Sequence, residues 1–136
     1  MSTTSNEVNK GTVLVIEDEA VFRMIYQDVI THHGYEAITA EDGESGWQIA
    51  KKEKPDLILL DLNLPKHSGL EVLKNIRYDD DDEIKSIPVV IITMLGQRVD
   101  IRRGLALGVN DYLVKGFCSP LDVLRKIETI LAKADI

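Results

Sequence analysis

The chain has 136 residues, enough for one hydrophobic core and little more, so a fused second domain is not expected. Hydrophobic residues make up 44% and charged residues 29%, values of a folded globular chain rather than a disordered or fibrous one. A net charge of −7 without any Lys/Arg run argues against nucleic acid or a membrane surface as partner, and the lone Cys118 excludes an internal disulfide.

Residues 1–12 are polar, carry no apolar period and lack the apolar centre of a signal peptide. They read as a flexible leader before a folded domain over residues 13–134, and a reducing cytoplasm is the expected location. The first β-branched run, residues 13–16, ends in Glu17 and Asp18. Phe22, Ile25 and Val29 then recur at helical spacing up to Gly34, placed where a helix C′ residue belongs. A weaker run at residues 35–39 suits an edge strand, and Trp47 and Ala50 mark a short helix. Residues 57–60 form a second continuous apolar run, ending in Asp61, and Leu70, Leu73 and Ile76 follow Gly69 at helical spacing. Five consecutive acids at residues 79–83 lack the spaced ligands and central glycine of a calcium loop, so a solvated loop is expected there. The run at residues 87–92 ends in Thr93, a helix follows over residues 99–107 with Gly108 after it, and the run at 112–114 ends in Lys115. Ser119 and Pro120 then supply an N-cap and a first helical residue for a last helix carrying Leu121, Leu124, Ile127 and Leu131.

Nearly continuous apolar runs suit strands buried on both faces of a sheet, and strict β-α alternation argues for a parallel sheet with helices on both sides. In such a sheet every strand's C-terminal end lies on one edge, where ligands of open α/β folds bind. That edge would collect Glu17, Asp18 and Asp61 with Thr93 and Lys115. Three carboxylates in one crevice resist common ionisation unless a cation compensates them, and an all-oxygen acidic set suits Mg²⁺. Lys115 and Thr93 offer a charge and a hydroxyl to phosphate oxygens, so the set suits transfer of a phosphoryl group to a carboxylate. An isolated acid after a strand is usually a turn former or helix cap; the joint pattern is what points to chemistry. His32, His33 and His67 share no metal-ligand spacing and are expected at the surface.

The ordered motifs Val13-Leu14-Val15-Ile16-Glu17-Asp18-Glu19, Asp61-Leu62-Asn63-Leu64-Pro65 with Gly69, Ile87-Pro88-Val89-Val90-Ile91-Ile92-Thr93 and Asp111-Tyr112-Leu113-Val114-Lys115 resemble the receiver domains of bacterial response regulators, the chemotaxis type especially. The resemblance implies a single flavodoxin-like (βα)5 domain with strand order 2-1-3-4-5 and helices on both faces. It implies Asp61 as phosphoacceptor for a sensor histidine kinase or phosphotransfer protein. Mg²⁺ would be held by Asp18, Asp61 and the backbone carbonyl of Asn63, with Glu17 acting through water. Thr93 and Lys115 would hold phosphoryl oxygens, and Tyr112 would turn inward when Thr93 moves. A stand-alone signalling receiver follows, a monomer or weak homodimer. Its output would go to a downstream protein across the fourth predicted helix, the last strand and the fifth predicted helix, and its only chemistry would be its own phosphorylation and dephosphorylation. Two positions depart from the family pattern. Met94 stands where a small residue is usual, as a candidate gate over the pocket. Lys115 is followed by Gly116 instead of proline; a cis bond there costs about 2.5–4 kcal/mol, so a trans bond is the expectation.

Three other functions compete. A haloacid-dehalogenase-type phosphatase needs a second Asp two residues after the nucleophile, where Asn63 stands. A flavodoxin needs a Ser/Thr-rich phosphate loop after the first strand, where Glu17-Asp18-Glu19 would repel phosphate. The remaining alternative is a receiver-like protein-interaction scaffold that is never phosphorylated; Met94 and Gly116 suit it, and the presence of all five site residues weighs against it.

Overall fold

Side chains alternate across the buried strands and sort the core into two layers. The computed structural model describes residues 9–94 and 98–134. β1 (Thr12–Ile16), β2 (Glu36–Ala40), β3 (Leu57–Asp61), β4 (Val89–Thr93) and β5 (Asp111–Val114) form one parallel sheet of order β2-β1-β3-β4-β5. Leu14, Ile16, Ile58, Leu60, Val89 and Ile91 point to one face, against α2 (Gly43–Glu53) and α3 (Gly69–Arg77). Val13, Val15, Leu57, Leu59, Val90 and Ile92 point to the other, against α1 (Ala20–His32) and α6 (Pro120–Ala134). That period of two is why the central strands read as unbroken apolar runs. The flavodoxin-like single domain with helices on both faces is the architecture found.

Some boundaries and faces differ from the sequence reading. Residues 1–8 of the expected leader lie outside the described residues. The rest is tied to the sheet: the Lys10 N–H donates to the Gly34 carbonyl, the Gly11 carbonyl accepts from the Glu36 N–H, and Thr12 already belongs to β1. β5 is an edge strand and only partly buried, because no strand covers its far side. On α1 the inward face is Phe22, Tyr26, Val29 and Ile30, while Ile25 is exposed; the buried stripe passes through Tyr26, one position on. The acidic run is not wholly a loop. Asp81 accepts from the Glu83 N–H and caps the short helix α4 (Asp82–Lys85), which buries Ile84. α5 (Arg98–Ala106) ends near Gly108, whose φ of +76° allows the turn into β5. At α6 the Ser119 hydroxyl accepts from the Asp122 N–H, and Asp122 returns the bond to the Ser119 N–H, a closed capping box.

Candidate functional site

Register brings the strand ends together in steps. Ile16 lies opposite Leu60, so Glu17 and Asp61 leave β1 and β3 at one level. Asp61 lies opposite Ile92 and Thr93 opposite Val114, so Thr93 stands one residue beyond Asp61 and Lys115 one beyond Thr93. The crevice between β1 and β3 is also where strand order reverses, since β1 pairs with both β2 and β3.

The Lys115 ammonium occupies this crevice. It donates to Asp61 Oδ2 at 3.0 Å and to Glu19 Oε1 at 3.3 Å, and it stands 2.8 Å from Glu17 Oε1 as an ion contact without the alignment of a hydrogen bond. Glu17 is fully buried and Asp61 is 1% exposed, so these charges face little water. Burial pushes the Glu17 carboxyl up to about 7, while the contact with Lys115 and the Glu19 N–H pull the other way. Burial by itself would lower the Lys115 ammonium; the close carboxylates of Glu17 and Asp61 outweigh it and hold the ammonium above its ordinary range. The ring of Phe22 closes the arrangement, with its centroid 4.7 Å from Lys115 Nζ.

The backbone around these groups is fixed by further bonds. Asp61 Oδ1 accepts from the Asn63 N–H at 3.0 Å, and Glu17 Oε2 accepts from the Glu19 N–H at 3.0 Å. Arg23 Nη1 donates to the carbonyls of Glu17 and Asp18, while its Nη2 pairs with Glu41. The Gly69 N–H donates to the Leu62 carbonyl, and a Cβ on Gly69 would strike the Asp61 carbonyl oxygen and come within 2.6 Å of Leu62 Cα. Only glycine lets α3 start this close to the end of β3.

Glu17, Asp61 and Lys115 are thus in contact. Asp18 is exposed beside them, and one carboxylate oxygen from each of Glu17, Asp18 and Glu19 lies within 4.8 Å of the others. This oxygen-only, acidic donor set fits a hard divalent cation. Asn63 is exposed, and Thr93 is buried at the end of β4 with its carbonyl accepting from the Lys115 N–H. Met94 and Tyr112 are 47% and 39% exposed. The Lys115–Gly116 peptide is trans, and Gly116 has a φ of +87°. Glu19, Phe22 and Arg23 were not read as site residues from the sequence; their positions two, five and six residues after Glu17 were the available signal. A cleft of about 450 Å³ between α3 and α5, lined by Leu70, Lys74, Arg103 and Leu107, lies on the helical layer away from the carboxylates.

Comparison with known proteins gives concordant results. A family model described as "Response regulator receiver domain" matches residues 13–128. The chain is 38% identical over 119 residues to the "Polar-differentiation response regulator DivK" of Brucella anthropi, covering 88% of this chain and 92% of that protein. It is 39% identical over 129 residues to the "Probable transcriptional regulator ycf27" of Porphyra purpurea, covering 95% of this chain and 51% of the relative. The chain spans about half the length of most of the curated relatives it matches. Among solved structures, the Vibrio cholerae chemotaxis protein CheY4 superposes with a TM-score of 0.79 at 28% identity, over 88% of this chain and 97% of that one. Among the described residues no helix is long and apolar enough to cross a membrane.

Proposed function

The chain belongs to the response regulator receiver domain family of two-component signalling systems, and on that premise we propose that Asp61 accepts a phosphoryl group from a phosphohistidine of a sensor kinase or phosphotransfer protein. One observation carries the reading: a carboxylate 1% exposed at the end of a central strand, with one oxygen on the Lys115 ammonium and the other on the Asn63 N–H. In the transfer an Asp61 oxygen forms the bond to phosphorus. The phosphorus–nitrogen bond of the donor breaks, and its electron pair stays on the imidazole. Positioning and charge neutralisation are the protein's contributions to such a step.

Asp18, Asp61 and the Asn63 carbonyl would hold Mg²⁺, with Glu17 reaching it through water. When bound, the ion supplies positive charge to the phosphoryl oxygens and offsets the crowded carboxylates. Lys115 exchanges its carboxylate contacts for a phosphoryl oxygen, and the Thr93 hydroxyl donates to another. Tyr112, exposed on the edge strand β5, turns inward as Thr93 moves, which shifts a two-state equilibrium read by a protein partner on α5, β5 and α6. The chain's net charge of −7 favours a protein over nucleic acid as partner. Met94, next to Thr93, shields the phosphorylated carboxylate from water.

Incubation with Mg²⁺ and phosphoramidate, followed by intact-mass measurement, tests the assignment. The wild type should gain one hydroxylamine-labile phosphoryl group and Asp61→Asn none, with its circular dichroism unchanged. Label retained in the Asn variant, or mapped to a histidine, rules Asp61 out.

A further inference from the structure

Among the described residues three cations stand over aromatic rings, and two of them, Lys10 over Tyr35 and Lys51 over Trp47, are exposed. The third, Lys115 over Phe22 at 4.7 Å, has a side chain only 2% exposed. A cation–ring contact is stronger where water is excluded, so this pair is unlike the other two. We propose that Phe22 is a positioning residue that holds the Lys115 ammonium on its path to the phosphoryl oxygens, an inference that rests on the phosphoacceptor reading of Asp61.

Lysine is a point charge on a flexible four-carbon stem, and the bond of its backbone N–H to the Thr93 carbonyl fixes the start of that stem and not the ammonium. Gly116 follows it in a left-handed conformation, and a Cβ there would meet nothing within 4 Å. Among the described residues the ammonium's ion-pair partners are Glu17, Glu19 and Asp61. Each is a carboxylate whose attraction weakens once its charge is shared with a second cation, and Asp61 itself is consumed as the acceptor. The ring carries no titratable charge. Its negative face is therefore a partner of Lys115 that persists from the resting to the reacting arrangement, as the carboxylates do not.

Phe22 is itself held in place. It stacks on Tyr26 with centroids 5.9 Å apart and ring planes at 26°, and Tyr26 is buried in the core between the sheet and α1. Arg23, the next residue, is bonded to the carbonyls of Glu17 and Asp18, which ties the helix turn carrying the ring to the acid loop. A ring fixed to α1 limits the arc that Nζ can sweep from the end of β5.

Phe22→Leu keeps an apolar side chain and removes the ring, and Phe22→Tyr keeps the ring. In the metal-free proteins, NMR should show the Lys115 ε-methylene protons shifted upfield by the ring in the wild type and the Tyr variant, and unshifted in the Leu variant. At saturating Mg²⁺, phosphorylation by phosphoramidate should slow about tenfold in Phe22→Leu and recover in Phe22→Tyr, with Mg²⁺ affinity unchanged throughout. A Leu variant labelled at the wild-type rate overturns the inference. So does a Tyr variant as slow as Leu, or a slowing that follows weakened Mg²⁺ binding. A wild type that takes up no phosphoryl group overturns the phosphoacceptor reading and this inference with it, and differs visibly from the case in which only the variants' rates contradict Phe22.

Discussion

On the β1–β3 side of the strand-end edge, Glu17, Asp61 and Lys115 are buried and tied by side-chain bonds, backbone N–H groups and the guanidinium of Arg23. On the β4–β5 side Thr93 is buried, while Met94 after it and Tyr112, opposite Ile91, leave large apolar surface in water. For Tyr112 the difference follows from position in the sheet. β1 and β3 have neighbours on both sides, so groups at their ends enter a crowded crevice and need partners, because an unpaired buried charge is costly. β5 has one neighbour, and a side chain there can exchange solvent for cover at small cost. A rigid half suits chemistry and a loosely covered half suits switching, and the variants below probe each side.

The largest effect is expected from Gly69→Ala on the rigid side. The added methyl group meets the backbone of Asp61 and Leu62, which cannot yield as a side chain can, and urea denaturation should show a loss of about 3 kcal/mol. A loss under about 1 kcal/mol would mean that the β3–α3 connection is less rigid than drawn. Arg77→Met tests what anchors the other side. Its guanidinium donates to the carbonyls of Ile87, Leu107, Gly108 and Lys85 at 2.8, 2.9, 3.0 and 3.1 Å, joining the entry of β4 to the end of α5. Removing it should cost about 2 kcal/mol and raise amide exchange around Gly108 more than around Glu17; uniform exchange would erase the contrast.

Asp18→Ala should weaken Mg²⁺ by about tenfold in calorimetry. It should also raise the melting temperature without metal, since one carboxylate of a three-acid cluster is gone. An unchanged Mg²⁺ affinity would remove Asp18 from the ligand set. The smallest effect is expected on the exposed side, where Met94→Ala should speed both labelling by small donors and spontaneous dephosphorylation by about threefold, with Mg²⁺ affinity unaffected. An equal or slower dephosphorylation rate shows that the thioether shields nothing.

How far the sequence reached varies by element. The runs ending at Ile16, Leu60 and Ile92 announced buried strands, and Gly34, Gly108 and Ser119 marked helix ends, because each signal is carried by a few neighbouring residues. The acidic run misled: the capping role of Asp81 depends on Ile84 finding the core, which charge alone does not show. On α1, Ile25 and Tyr26 both fit a helical period, and only the sheet's position decides which faces inward.

By itself, then, the sequence determined the alternation of strands and helices, the one edge on which the polar residues collect, and through its motifs the family. Tertiary structure alone decided that Lys115 lies between Glu17, Glu19 and Asp61 and under the Phe22 ring. The physical reason is separation along the chain. Lys115 and Glu19 are 96 residues apart and Lys115 and Asp61 are 54 apart. Their contact depends on the register of four strands and the docking of α1, set by packing summed over the whole core, and no local period encodes that sum.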